Sequence, residues 1–235
     1  MAISNILNLK DSSHRFERKF VFTNSQIQEV EAIIRLHPFA FLEIFYTRFV
    51  NNIYLDSFDK KAYLDNVIGT NQRFKIRIRW YGDLFGFVEK PVLEIKTKRN
   101  ALGSKISFPL SSFHIEKGFS RDDIKEVLKN SSLPENLQQE LACLEVSLLN
   151  RYKRKYFQSH NKDFRFTLDT NLRFYNITGK NNNFLDSKVD NSTIILELKY
   201  NKDKDRRAQS VINHLPSRLG KNSKYAIGVE SLNFY

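Results

Sequence analysis

The sequence has little of several features that would place it in a familiar class. Its one cysteine, Cys143, excludes an internal disulfide and favours a reducing compartment. Cys143 lies in the apolar run 141–144, which predicts a small buried thiol. No window approaches the roughly 18 apolar residues of a transmembrane helix, and residues 1–10 lack the pattern of a signal peptide. We therefore expect an intracellular, cytoplasmic protein.

Two common types of functional site are also missing. The stretch Gly220-Lys221-Asn222-Ser223 lacks the upstream glycine of a P-loop, so phosphate would have to be held by side chains. The histidines are dispersed without metal-ligand spacing, which argues against a histidine-based metal or nucleophilic site. These residues are His14, His37, His114, His160 and His214.

No repeat and no proline-rich or glycine-rich linker divides the chain, so we expect one domain over residues 1–235. The polar, asparagine-rich stretch 176–192 is expected to be a surface loop. Capping residues and prolines predict a few outer helices. They begin at Asn24 or Ser25, Ser57, Ser120, Pro134 and Asp205.

Alternation of apolar and polar residues predicts about eight strands. These are residues 15–22, 47–55, 73–81, 92–98, 105–110, 151–158, 164–169 and 193–200. Few helices separate the strands. The order therefore favours an α+β fold or a closed antiparallel barrel over a doubly wound parallel sheet.

The composition indicates a folded, basic protein. Lysine and arginine total 38 against 26 acidic residues, a net charge of +12, while 20 Phe and 10 Tyr can supply a core. Nucleic acid, an anionic membrane surface and a phosphate-rich small molecule would all suit this charge. The placement of the charges must distinguish these partners.

Charged residues concentrate on one face of each predicted strand. In residues 73–80 one face is wholly basic and the other wholly apolar, because side chains two apart share a face. Five other strands have a polar face that mixes cations with acids or tyrosines. These faces hold Arg15, Glu17 and Lys19; Glu94, Lys96 and Lys98; Tyr152, Arg154 and Tyr156; Arg165 and Asp169; and Glu197 and Lys199.

Two interpretations of these faces are open. Each could simply meet water, as in a half-buried antiparallel sheet. Alternatively, the sheet closes with its charged faces inward, and the surplus of cations requires a polyanion. Carboxylates among the cations suit a hard divalent cation that bridges phosphate oxygens.

Eight short motifs, taken in order, resemble one known family. The chain is similar to the polyphosphate-polymerase domain of the vacuolar transporter chaperone (VTC) complex, within the triphosphate tunnel metalloenzyme superfamily. The motifs are RFERK at 15–19, NIYLD at 52–56, KIRIRWYG at 75–82, LEIK at 93–96, YKRKYF at 152–157, FTLDT at 166–170, LELK at 196–199 and SKY at 223–225. The resemblance implies an eight-stranded antiparallel tunnel with a basic lumen and outer packing helices.

The resemblance also implies roles for individual residues. Arg77 and Arg79 are expected to hold nucleotide phosphates, and Glu197 to bind Mn²⁺ or Mg²⁺ with Glu17 and Glu94 as further candidate ligands. Further catalytic cations are expected at Lys96, Arg154, Arg165 and Lys199. Expected substrate contacts are Lys19, Tyr54, Lys75, Lys98, Lys105, Lys221 and Lys224.

The predicted activity is transfer of the γ-phosphate of a nucleoside triphosphate, ATP being favoured, to orthophosphate or a growing polyphosphate chain. Arg15 stands where many superfamily members have a first glutamate, which favours polymerases over hydrolases. The chain carries neither the regulatory nor the membrane domain of eukaryotic polymerase subunits, which leaves open a membrane-protein partner. Trp80 and Tyr81 could stack on a base or belong to the core.

Two alternatives remain open from sequence. A tunnel triphosphatase would share nearly every residue but would need to activate water, whereas a phosphate acceptor is already anionic. A non-catalytic module that binds polyphosphate or single-stranded nucleic acid would have no need for Glu17, Glu94 and Glu197 among the cations, so nucleic acid is disfavoured.

Overall fold

The computed structural model describes residues 15–99 and 102–233. Its main feature is one large antiparallel sheet. The strands that form the sheet are β1 (Arg15–Thr23), β2 (Phe41–Asp56), β3 (Gln72–Tyr81), β5 (Val92–Arg99), β6 (Leu102–Pro109), β8 (Glu145–Ser159), β9 (Phe164–Tyr175), β10 (Ser187–Asp190) and β11 (Thr193–Asn201). A separate two-stranded sheet pairs β4 (Gly86–Val88) with β7 (Phe113–Ile115).

The large sheet closes on itself. Its order is β9-β11-β1-β6-β5-β3-β2-β8, and a further β8–β9 pairing completes a ring of eight strands, while β10 adds to the edge of β9. Every strand pair is antiparallel. The predicted α+β fold with an eight-stranded antiparallel barrel is confirmed, because all eight predicted strands are present.

Within the described residues, six α-helices accompany the barrel. They are α1 (Ile27–Arg35), α2 (Lys61–Ile68), α3 (Arg121–Lys129), α4 (Glu135–Ala142), α5 (Asp205–Ile212) and α6 (Lys224–Asn233). Ser120 caps α3 in a capping box with Asp123, as the sequence predicted, and Gly69 ends α2 with a positive φ of 82°. No helix within the described residues has both the length and the apolar character that crossing a bilayer requires.

The apolar faces of the strands pack outward, under the helices and loops. Ile76, Ile78 and Trp80 on β3 join the core that also contains α3 and α4. A second core contains Phe164, Phe166 and Leu168 with residues of α1 and α5. Because strand side chains alternate between faces, this packing directs the charged faces into the barrel.

Two predictions from sequence are wrong. Cys143 is exposed, because it follows the last residue of α4 and points away from the core that Leu141 enters. The stretch 176–192 is not only a surface loop: it contributes β10 and buries Ile177 and Phe184.

Strand β1 has different neighbours on its two sides. On one side it pairs with β11 through nine residues, and on the other it meets β6, where the described residues include the pair Arg15–Gly103. We call the line between these two strands the β1–β6 seam. A chain segment covers the open edge of β1 there, since the Gly220 amide donates to the Lys19 carbonyl and Leu219 bridges to Phe20.

Helix α6 closes one end of the barrel. Its Tyr225 ring stacks on Tyr54 with 4.8 Å between centroids, and its hydroxyl donates to the buried Asp56 carboxylate. The residues around it face the lumen: Val50, Leu148, Tyr152, Leu172, Phe174 and Ile195. This helix was not among those predicted from sequence.

Gly228 allows α6 to approach the barrel wall closely. A Cβ at this position would lie 2.5 Å from Leu148 Cδ2 and 2.6 Å from Phe174 Cδ1, and both neighbours are buried. We expect Gly228→Ala to lower the free energy of unfolding by about 1–3 kcal/mol through overpacking, measured by urea denaturation. Gly179→Ala is the control, because its Cβ would meet no atom within 4 Å. Equal stability of the two variants would contradict this packing.

Candidate functional site

Two arginines and one glutamate lie at the centre of the lumen. Arg77 and Glu94 are opposite each other in the β3–β5 register. Arg77 Nη2 lies 2.6 Å and Arg79 Nη1 3.4 Å from Glu94 Oε2, while Lys105 Nζ lies 2.6 Å from Oε1. Burial opposes ionisation of Glu94, but these cations hold its pKa far below the usual value. Glu94 is therefore an anion that keeps three cations together.

Neutral side chains fix the direction of both guanidinium groups. Arg79 Nε donates to Asn52 Oδ1 at 3.0 Å, and Asn52 in turn donates to Asn150 at 2.8 Å. Arg79 Nη2 donates to the Tyr152 hydroxyl at 3.0 Å, and Arg77 Nη1 to the Tyr54 hydroxyl at 3.3 Å. The guanidinium groups of Arg77 and Arg79 are thus oriented before any ligand binds.

A second charged cluster ties α6 to the barrel. Asp169 on β9 accepts from Arg154 Nε at 2.5 Å and Nη2 at 2.7 Å, and from Lys224 Nζ at 2.5 Å. All three side chains are buried. Loss of one partner from such a buried group typically costs about 3–5 kcal/mol, so Asp169 is needed to keep Arg154 and Lys224 in the lumen.

A third cluster brings two carboxylates together. Lys96 Nζ lies 3.2 Å from Glu17, and Lys199 Nζ lies 3.6 Å from Glu197 and 4.0 Å from Glu17. Glu197 is buried, and its Oε1 atom has no hydrogen-bond partner. Burial opposes its ionisation, but the charges of Lys199, Lys19 and Lys96 lower its pKa.

The Glu17–Glu197 pair fits a divalent cation better than Glu94 does. No group of three or more His, Cys, Asp or Glu side chains that could hold a metal is found in residues 15–99 and 102–233. Mg²⁺ and Mn²⁺ need only one or two carboxylates when phosphate oxygens and water complete their coordination. Glu197 Oε1 has no hydrogen-bond partner and only a 3.6 Å ion contact with Lys199, so together with Glu17 it can supply such donors, whereas both oxygens of Glu94 already accept from cations.

Beyond these clusters, toward α6, lies a group of cations that we call the basic mouth: Lys19, Arg73, Lys75, Lys98 and Lys221. Lys75 Nζ donates to Ser223 Oγ and Lys19 Nζ to the Asn222 carbonyl, each at 2.7 Å. None of the five forms an ion pair within the described part of the chain. Burial and the charges of Lys19, Lys96, Arg73 and Arg77 hold the pKa of Lys75 well below its usual value. An anion here would relieve that repulsion.

The basic mouth opens to the surface at the β1–β6 seam. An opening of about 250 Å³ lies there. It is lined by Phe16, Glu17, Arg18, Lys19, Lys98, Leu219 and Gly220. Two cations of the mouth and one of the paired carboxylates are therefore reachable from the side of the barrel.

The structure brings nearly all of the predicted site residues into these contacts. The structure describes no contact between Arg165 and the three clusters. Arg165 does lie opposite Lys199 in the β9–β11 register. Asp169, Tyr152, Asn52 and Asn150 were not assigned roles from sequence. Alternation places Asp169 and Tyr152 on polar strand faces, and this pattern could have identified both residues. Trp80 packs against Phe113 outside the lumen and is a core residue.

Comparison with solved structures finds the same fold at low sequence identity. A candidate adenylyl cyclase from Hippeastrum, HpAC1, reported to have a dominant triphosphatase activity, matches with a TM-score of 0.51 and 12% identity over 93% of this chain and 95% of its own. A candidate adenylate cyclase from Vibrio parahaemolyticus matches with a TM-score of 0.49 and 10% identity, covering 88% and 94% of the two chains. The first likeness confirms the tunnel fold alone.

The closed antiparallel barrel with a charged lumen thus defines a protein of the tunnel fold. The VTC domain family matches residues 14–233, and the chain belongs to that family. Comparison with curated proteins finds no match.

Tyr152 reports the electrostatics of the lumen. Burial raises its pKa, but Arg154 and Arg79 outweigh burial and lower it to about 8. Ultraviolet titration should show one tyrosine ionising near pH 8, and this step should disappear in Tyr152→Phe. Tripolyphosphate should shift the midpoint upward, because a bound anion weakens the field that stabilises tyrosinate.

The matched control is Tyr46→Phe, because Tyr46 is 93% exposed. This variant should keep the step near pH 8. A Tyr152→Phe protein that retains the step would contradict the assignment.

Proposed function

We propose that this protein is a metal-dependent polyphosphate polymerase that transfers the γ-phosphoryl group of a nucleoside triphosphate to orthophosphate or to a polyphosphate end. The observation that carries the proposal is the basic mouth, whose cations lie beyond the central arginines and form no ion pair in the described structure. Residues 1–235 would act as one catalytic domain.

The nucleotide phosphates would bind at Arg77 and Arg79. Guanidinium groups hold phosphate oxygens in a fixed geometry, and the hydrogen bonds that the two arginines donate to Tyr54, Asn52 and Tyr152 set that geometry in advance. In an in-line phosphoryl transfer, positioning and neutralisation of charge supply most of the catalysis. Lys96, Lys199 and Arg165 on the neighbouring strands would add positive charge around the transferring group.

Glu17 and Glu197 would hold Mg²⁺ or Mn²⁺. When bound, the ion would neutralise phosphate charge that the lumen cations leave unbalanced. Lys96 and Lys199 already offset part of the charge of both carboxylates, so the site is suited to a cation that arrives with its phosphate ligands.

The basic mouth would hold the acceptor. Part of the cation surplus expected from sequence is balanced, since Lys105 pairs with Glu94, and Arg154 and Lys224 pair with Asp169. Lys19 and Lys221 form no ion pair in the described structure, and neither do Arg73, Lys75 and Lys98. A phosphate chain carries about one negative charge per unit, which matches a row of cations better than a single released phosphate does.

Hydrolysis of a triphosphate is the second candidate. The observation that favours it is Glu197 Oε1, a buried carboxylate oxygen without a hydrogen-bond partner, which could accept a hydrogen bond from water and orient it for attack. The triphosphatase activity reported for the Hippeastrum protein is of this kind.

Product analysis distinguishes the two reactions. With γ-labelled ATP and Mn²⁺ or Mg²⁺, we expect ADP and label in acid-insoluble polymer. The double variant Lys98→Gln/Lys221→Gln should shorten the polymer, because it removes two acceptor cations without altering Arg77 or Arg79. Lys129→Gln/Lys180→Gln, at two exposed positions outside the lumen, is the charge-matched control. Recovery of all label as orthophosphate would support the hydrolase instead.

The metal assignment is tested separately from turnover. Glu197→Gln keeps size but removes the anionic ligand, so Mn²⁺ should no longer raise the thermal unfolding temperature in the presence of tripolyphosphate. The wild type and the control Glu116→Gln, at an exposed position, should both show the rise. An undiminished Mn²⁺ effect in Glu197→Gln would rule out Glu197 as a ligand.

A further inference from the structure

The end of the barrel opposite α6 carries a group of aromatic rings around one arginine. We call it the aromatic rim: Phe45, Arg48, Tyr81 and Tyr156. The guanidinium carbon of Arg48 lies 4.8 Å from the Phe45 ring centroid, 5.6 Å from that of Tyr81 and 5.8 Å from that of Tyr156. The Phe45 and Tyr156 rings meet edge to face with 5.6 Å between their centroids.

The aromatic rim continues the lumen. Tyr81 follows Arg77 and Arg79 on the same face of β3, since the three are spaced by two residues. Arg48 and Phe45 on β2 lie opposite Arg154 and Tyr156 in the β2–β8 register. The guanidinium carbon of Arg154 lies 5.9 Å from the Tyr156 ring centroid, so the rim adjoins the charged clusters.

The rim is not a completed part of the core. Phe45 and Tyr81 are 46% and 49% exposed, and Arg48 is exposed and forms no ion pair in the part of the chain that the structure describes. β2 extends past the end of β3, whose last residue Tyr81 pairs with Val50, and its register with β8 shifts twice in this extension. Such shifts redirect side chains, here toward the barrel opening.

We propose that the aromatic rim binds the base of the nucleoside triphosphate. Bases stack on aromatic rings and on guanidinium planes, and the rim presents both. At about 3.3 Å per strand residue, Tyr81 lies roughly 7 Å beyond Arg79 and 13 Å beyond Arg77. That separation leaves room for a ribose and the α-phosphate between the base and phosphates held at the two arginines.

This assignment rests on the proposed function and gives the tunnel a direction. The nucleotide enters at the rim, and the acceptor occupies the basic mouth at the α6 end. Stacking tolerates every base, because each has a π face, so the rim distinguishes nucleotides from inorganic triphosphates and favours the larger purines.

Calorimetric titration with ATP and with tripolyphosphate tests the rim. Arg48→Ala and Tyr81→Leu should each weaken ATP binding by about 5- to 30-fold, within the range found for loss of one stacking contact. Binding of tripolyphosphate, which has no base, should change far less in both variants. Tyr81→Leu alters no charge, so it separates stacking from electrostatic attraction.

Arg151→Ala is the matched control. The guanidinium carbon of Arg151 lies 3.9 Å from the Phe49 ring centroid, but Arg151 alternates with lumen-facing Tyr152 and stacks outside the barrel. The Arg151→Ala variant loses the same charge as Arg48→Ala and should bind ATP as tightly as the wild type. Circular dichroism verifies that each variant is folded.

The outcomes separate this proposal from the proposed function. Equal weakening of ATP and tripolyphosphate, or unchanged ATP binding in both rim variants, overturns the rim assignment and leaves the phosphate site standing. Failure of the wild type to bind either ligand overturns both.

Discussion

Confinement of many cations within a closed barrel is the constraint on which the rest of the structure depends. Buried ammonium and guanidinium groups repel one another and lose hydration, so they persist only where anions are fixed among them. Glu94 and Asp169 meet this need at two points, each accepting from at least two cations. The positions of these two carboxylates therefore determine which cations remain for a ligand.

The distribution of charge along the lumen follows from that constraint. The centre is nearly balanced and rigid, with each arginine fork held by neutral side chains as well as by Glu94. The end near α6 carries an excess of positive charge and lies beside the opening at the side of the barrel. The opposite end is aromatic, with one unpaired arginine in the described structure. Three environments thus succeed one another along a single barrel, each suited to a different part of a phosphorylated substrate.

The strands and the inward direction of the charges could be predicted from sequence because they are local. A period of two in residues 73–80 specifies both the strand and its faces. Ion-pair partners could not be predicted, since pairing of Arg77 with Glu94 depends on the β3–β5 register. Helix α6 was missed because it packs into the lumen with apolar residues on several sides and so lacks a clear amphipathic pattern.

The exposure of Cys143 and the burial of Phe184 depend on tertiary packing in the same way. Each lies in a segment whose local composition indicates the opposite environment. By contrast, Ser120 with Asp123 was predicted correctly, because a capping box needs only residues three positions apart. Features that depend on neighbouring residues, such as the capping box, can be predicted from this sequence. Contacts between distant elements cannot.

Helix α6 has a consequence for the path of a long product. It fills one end of the barrel and is fixed there by the bonds from Lys224 to Asp169 and from Tyr225 to Asp56. A polymer held at the basic mouth meets this helix along the barrel axis, whereas the opening lined by Lys19, Lys98 and Gly220 lies at the side. A lengthening chain would therefore turn away from the barrel axis and pass through the wall, so its path would be bent and not straight.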